Sequence, residues 1–260
     1  MIDSHCHLEY MEDVDAVVAE AKQRGVTAMV ASTADIKHVE KIMTIKKKYP
    51  DFVFVCLGFH PEVMIKYTQS DIERYMQFIR TNRDKISAIG EVGLDYNWVS
   101  SPDEQRRSRQ VFIKFIELAK ELDLPMVIHS RNGKDKTDGP ADAISEVINI
   151  LIDNAMTSVM LHCFSGSETN LRAAVEQGWM ISFATLVCKS DKHKRLAKLV
   201  PMEQMLLETD SPWLDPDSPE LINRPWKIER SAEVIAELRN TTKEHVLRQT
   251  EQNARQFFGI

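Results

Sequence analysis

The sequence predicts an α/β protein, a closed (β/α)8 (TIM) barrel, on three observations. Eight short apolar, β-branched runs recur along the 260 residues, segments with helical spacing of apolar residues lie between them, and histidines or carboxylates fall where several runs end. The runs are Met1–Asp3, Ala28–Ala31, Phe52–Leu57, Ile86–Ile89, Met126–Ile128, Ser158–Leu161, Met180–Phe183 and Met205–Leu207. Strand–helix alternation makes neighbouring strands parallel, because each return to the sheet passes through a helix. A doubly wound open sheet is the competing arrangement, and eight units favour closure, which would put a site at the strands' C-terminal ends.

Taken in order, the first run leads into Asp3-Ser4-His5-Cys6-His7. Extended backbone sends alternate side chains to one face, so the two imidazoles can point the same way and share a cation. A His-x-His pair alone also suits ordinary polar or packing roles. Helical spacing follows over Val14–Arg24 and, after the second run, over Ile36–Tyr49. The third run ends in Gly58-Phe59-His60-Pro61, where His60 is a candidate for substrate or phosphate contact, although Pro61 alone would account for a turn.

A helix over Ile72–Asn82 separates the third run from the fourth, which continues into Gly90-Glu91-Val92-Gly93-Leu94-Asp95. Glu91 emerges from an apolar strand between glycines that allow close backbone approach. An unpaired carboxylate there would be costly to bury, so Glu91 either pairs with a buried cationic side chain or, the preferred reading, binds metal, its two oxygens able to bridge two cations. The helix Gln105–Leu122 leads to the fifth run and His129-Ser130-Arg131. Arg131 offers a planar fork of donors to a substrate oxyanion or pairs with Asp135 or Asp138.

After the helix Ala143–Asn154, the sixth run ends in His162-Cys163-Phe164-Ser165-Gly166. His129 and His162 together supply the neutral nitrogen ligands that zinc and similar divalent metals favour. Asn170–Gln177 is helical, and beyond the seventh run comes the basic stretch Lys189–Arg195. On a barrel it shares the face of the histidines, so Lys192 is a candidate phosphate contact, against the common reading of a solvated helix face. The eighth run leads to Glu208-Thr209-Asp210-Ser211-Pro212. Asp210 can hold a metal and accept a proton, or cap a turn before Pro212. The Pro-rich stretch Ser211–Pro225 reads as a loop, and Ile228–Asn240 and Thr242–Phe258 as closing helices. Without repeats or a linker, residues 1–260 form one domain.

The formal charge of −6 argues against a broad basic face that grips duplex DNA through many phosphates. A nucleic acid handled at one phosphate stays compatible, since bound cations would neutralise the protein's own carboxylates. No apolar run approaches the length of a membrane span. The four scattered cysteines, with no leader before them, place the protein in the cytoplasm as reduced thiols.

Read together, Asp3-x-His5-x-His7, Gly58-x-His60-Pro61, Gly90-Glu91-x-Gly93-Leu94-Asp95, His129-Ser130-Arg131, His162-Cys163-Phe164-Ser165-Gly166 and Glu208-Thr209-Asp210-Ser211-Pro212 resemble, in order and over nearly the whole chain, the TatD family of metal-dependent deoxyribonucleases. The resemblance implies a barrel of the metal-dependent hydrolase type and hydrolysis of DNA phosphodiesters, often by a 3′→5′ exonuclease preferring single strands. It implies two divalent cations, zinc, magnesium or manganese: one on His5, His7, Glu91 and Asp210, the other on Glu91, His129 and His162. A metal-held hydroxide would then attack phosphorus and Asp210 would manage the proton, with His60, Arg131 and Lys192 toward the DNA. The loop from Asn132 to Pro140 is longer than the family pattern. Hydrolysis of small esters, amides, lactones or aminoacyl-nucleic-acid esters is the alternative from another reaction class. The oligomeric state stays open, a monomer included.

Overall fold

A computed structural model describes residues 1–134 and 142–260. Each apolar run becomes a strand: β1 (Ile2–Cys6), β2 (Ala28–Thr33), β3 (Val53–Leu57), β4 (Ala88–Asp95), β5 (Met126–Arg131), β6 (Val159–Leu161), β7 (Met180–Phe183) and β8 (Met205–Leu207). The sheet order follows the chain order, and every hydrogen-bonded pair is parallel. β8 returns to β1, where Ser4 Oγ donates to Leu207 O at 2.8 Å. Past the strand ends, Asp210 N–H donates to His5 O at 3.0 Å and His7 N–H to Ser211 O at 2.7 Å. This is the barrel, and the order excludes the doubly wound sheet, in which strand order reverses partway.

Between strands run α1 (Val14–Gln23), α2 (Val39–Lys48), α3 (Pro61–Met64), α4 (Gln69–Thr81), α5 (Pro102–Leu122), α6 (Ala143–Asp153), α7 (Glu168–Glu176) and α8 (Asp191–Leu199), followed by α9 (Ile228–Arg239) and α10 (Lys243–Phe258). Local chemistry sets where they start. Asp13, Thr68, Ser101, Asp142, Ser167, Ser190 and Thr242 each accept a first-turn backbone N–H at the N-cap, a contact worth about 1 kcal/mol. The basic stretch enters α8, and among the described residues no helix is long and apolar enough to cross a membrane.

Barrel strands are buried on both faces, and their side chains sort accordingly. Met29, Val55, Ile89 and Ile128 join the outer core beneath the helices, whereas Val30, Cys56, Ala88, Val127, Met160 and Leu206 form a separate cluster with Ala254 and Phe258 of α10. Toward the C-terminal ends the interior turns polar: Ser4 Oγ lies 3.3 Å from Ser182 Oγ, and Ser32 Oγ 3.2 Å from His5 Nδ1.

Four strands run further than their apolar stretches predict, β2 through Thr33 and three others through candidate site residues. His5, Glu91 and His129 lie within β1, β4 and β5, because their side chains find polar partners at the barrel mouth and the ladder has no reason to stop. β1 shifts register between Asp3 and Cys6, and β4 between Ile89 and Val92. Such irregularities re-aim side chains beside a site. β4 and β5 also touch closely: a Cβ on Gly93 would stand 1.9 Å from His129 O.

Candidate metal centre

The strand ends deliver to one point six side chains of types that can ligate a metal. His5 Nε2 and His7 Nε2 are 3.1 Å apart, as the alternation in β1 anticipates, and lie 3.7 and 3.5 Å from Asp210 Oδ1. Glu91 divides its carboxylate between two groups. Its Oε2 is 3.5 Å from each of His5 Nε2 and His7 Nε2, while Oε1 is 2.7 Å from His129 Nδ1 and 3.6 Å from His162 Nε2. The ligand atoms of His5, His7 and Asp210, and those of Glu91, His129 and His162, lie close enough together to hold an ion each. The donors are imidazole nitrogens and carboxylate oxygens, with no thiolate among them, which suits catalytic zinc or harder divalent ions better than a closed structural zinc site. The residues present therefore fit the metal that the motifs imply.

Electrostatics point the same way. Burial works against charge on Glu91, yet the surrounding imidazoles, His162 first, hold its carboxyl well below the ordinary range. Burial would lower His129, but Asp95 and Glu91 raise it to about 10; Glu208 and Glu91 likewise raise His162 to about 9. Carboxylates outweigh the cost of burying positive charge, so the pocket attracts cations.

A further layer of residues, unassigned in the sequence reading, orients the histidines. His7 Nδ1 lies 3.0 Å from Glu9 Oε1, His129 Nε2 2.8 Å from Asp95 Oδ2, and His5 Nδ1 beside Ser32. Glu208 Oε1 accepts the Cys163 N–H at 2.7 Å and lies 2.9 Å from His162 Nδ1, close but outside aligned hydrogen-bond geometry. Partners of this kind fix ring orientation and raise ligand basicity. Asp95 and Glu208 stand inside the Gly90-to-Asp95 and Glu208-to-Pro212 motifs, but only the fold aims them. Asp3, also in a motif, accepts from the Thr209 N–H at 2.9 Å and the Thr209 hydroxyl at 2.6 Å, joining β1 to the loop that carries Asp210.

His60 caps α3, its Nδ1 accepting the Glu62 N–H at 3.3 Å. Burial and the facing His129 push it down to about 3. A neutral ring accepting at Nδ1 carries its proton on Nε2, which faces the centre 4.0 Å from Glu91 Oε1. His60 and Arg131 line the cleft above the centre with Tyr10, Trp98 and Trp213. Lys192 does not; its ammonium donates to the Ser165 carbonyl. Asp135 and Asp138, the alternative partners of Arg131, lie outside the described residues, as does most of the Asn132-to-Pro140 loop.

The profile of a family described as TatD related DNase matches residues 2–259. The deoxyribonuclease TATDN3 of Homo sapiens is 35% identical, over 99% of this chain and 94% of the relative. The uncharacterized metal-dependent hydrolase YabD of Bacillus subtilis is 32% identical, over 100% of this chain and 99% of the relative. Among solved structures, the TATD homolog YJJV from Escherichia coli K12 superposes with a TM-score of 0.88 at 24% identity, covering 100% of this chain and 98% of that one, which shows the shared fold.

Proposed function

The chain belongs to the TatD-related DNase family, and from that premise we propose that its residues 1–260 act as one metal-dependent hydrolase domain cleaving DNA phosphodiester bonds. The division of Glu91 between the His5–His7 side and the His129–His162 side is the observation that supports this reading best. Two divalent cations, zinc, magnesium or manganese, would be held by His5, His7 and Asp210 on one side and by His129 and His162 on the other, with Glu91 touching both. When bound, such cations supply positive charge to phosphate oxygens and lower the pKa of water at the site.

The chain's own groups do the rest. Asp210, whose side chain keeps 18% exposure, accepts the proton lost by the attacking water. His60 donates its Nε2–H to a phosphate oxygen, and Arg131 presents its guanidinium fork to another. Lys192 reaches a more distant phosphate. Digestion runs 3′→5′ on single strands, in the cytoplasm, where the four free cysteines stay reduced.

Metal analysis paired with a time course on end-labelled single- and double-stranded DNA tests this. We expect a ladder growing from the 3′ end of single strands, and a fall of about 10²-fold or more in His129→Ala. Full phosphodiesterase activity after exhaustive chelation, or in Glu91→Ala, would refute the two-cation account.

A further inference from the structure

Among the described residues four large aromatic side chains are exposed, Tyr10, Phe78, Trp98 and Trp213, and all but Phe78 line the cleft over the metal centre. Their exposures of 40% for Tyr10, 55% for Trp98 and 46% for Trp213 show that the core does not use them fully. Such aromatic surface gathered at one mouth reads as a binding surface.

The aromatics stand on opposite walls. Tyr10 and Trp213 follow β1 and β8, which are neighbours around the barrel; their rings meet edge to face at 5.1 Å, and Trp213 meets His7 at 4.9 Å. Trp98 follows β4, across the ring of eight strands. Its position is built into the centre, because Asp95 Oδ1 accepts the N–H groups of Asn97 and Trp98 at 2.9 and 3.0 Å while Oδ2 faces His129. Basic side chains are scarce between the walls: Arg131 is the one Lys or Arg side chain in the described lining, against the carboxylates of Glu62, Glu91, Asp95 and Asp210. A strand entering here finds few cationic side chains to follow along its backbone and two aromatic platforms, which bind bases of any sequence through their π-faces.

We propose that the nucleobases flanking the scissile phosphate lie unstacked on these walls, one on Trp98 and the other on the Tyr10–Trp213 pair. The proposal rests on DNA being the substrate. Unpaired nucleotides are then required on both sides of the cut, and the aromatic walls determine that specificity.

The test uses the full chain with its divalent cation and a short single-stranded oligonucleotide carrying 2-aminopurine, whose fluorescence is quenched by stacking, on one side or the other of the cleavage position. Wild type should quench the probe at both positions. Trp98→Ala should lose quenching at one position, and Tyr10→Ala/Trp213→Ala at the other. Each should raise KM about 10-fold or more with a smaller change in kcat and an unchanged melting temperature, and Trp98→Phe should restore both signals. If wild type digests single-stranded DNA while Trp98→Ala keeps the same KM and quenching, the aromatic walls are not base subsites. A wild type that releases no nucleotides from any DNA would instead overturn the nuclease reading, and this proposal with it.

Discussion

Gly93→Ala tests the link between the backbone and the centre. The new methyl carbon would sit 1.9 Å from His129 O, where real contacts stay above 3.0 Å, so β4 and β5 must part by about 1.1 Å. The obstacle is backbone, which has no rotamer through which to yield. The φ of +150° adds strain for an L side chain, about 1–3 kcal/mol, and overpacking adds about 1–3 kcal/mol more. A total near 4 kcal/mol lowers Tm by about 10 °C in a chain of this size. Because the displaced carbonyl belongs to His129, and a misplacement near 1 Å costs about 10²-fold in rate, phosphodiesterase activity should fall by that factor at a temperature where the variant is folded. Gly25→Ala is the control: its φ is +82° but nothing lies within 4 Å of the added carbon, so only strain of about 1 kcal/mol applies and activity is kept. Thermal melts and initial rates decide. A Gly93→Ala protein that melts no lower than Gly25→Ala and retains full activity would refute the reasoning.

Two other predictions concern partners seen only in the fold. Glu208→Gln keeps the shape beside His162 and removes the charge, so metal affinity should fall about 10–100-fold, read as metal content after dialysis; unchanged content would show that Glu208 merely packs. Asp215 Oδ2 accepts from Lys227 Nζ at 2.6 Å, and Oδ1 from the N–H groups of Asp217 and Ser218. Burial raises its carboxyl, but these bonds outweigh it and hold the group below the ordinary value of 3.8. A depressed folded value gives stability present above the unfolded pKa and lost as pH falls through the folded one. Asp215→Asn should therefore cost about 1 kcal/mol at pH near 7, and the gap to wild type in urea midpoints should close below pH 3.8. A gap independent of pH would assign the loss to packing instead.

Much of the fold was legible because two periodicities leave marks in the chain. Val53–Leu57 and Met205–Leu207 are short apolar runs bounded by turns, and α5 and α10 carry apolar residues at helical spacing. The runs marked the apolar part of each strand but missed the polar ends of β1, β2, β4 and β5. β4 continues through Glu91 to Asp95, since what ends a strand is the loss of hydrogen-bonding partners on its neighbour, and β5 still supplies them there.

The sequence by itself singled out the candidate site residues: His5, His7, Glu91, His129, His162 and Asp210 all follow or interrupt apolar runs, and local pattern is enough to see that. Only the tertiary structure decided how they are shared and held. The two faces of the Glu91 carboxylate, the approach of Glu208 to His162 and the opposed walls of Trp98 and Tyr10–Trp213 are relations between strands far apart in the chain. No local pattern encodes them, because barrel closure, register shifts and packing against glycine backbone set those distances, and each depends on all eight strands at once.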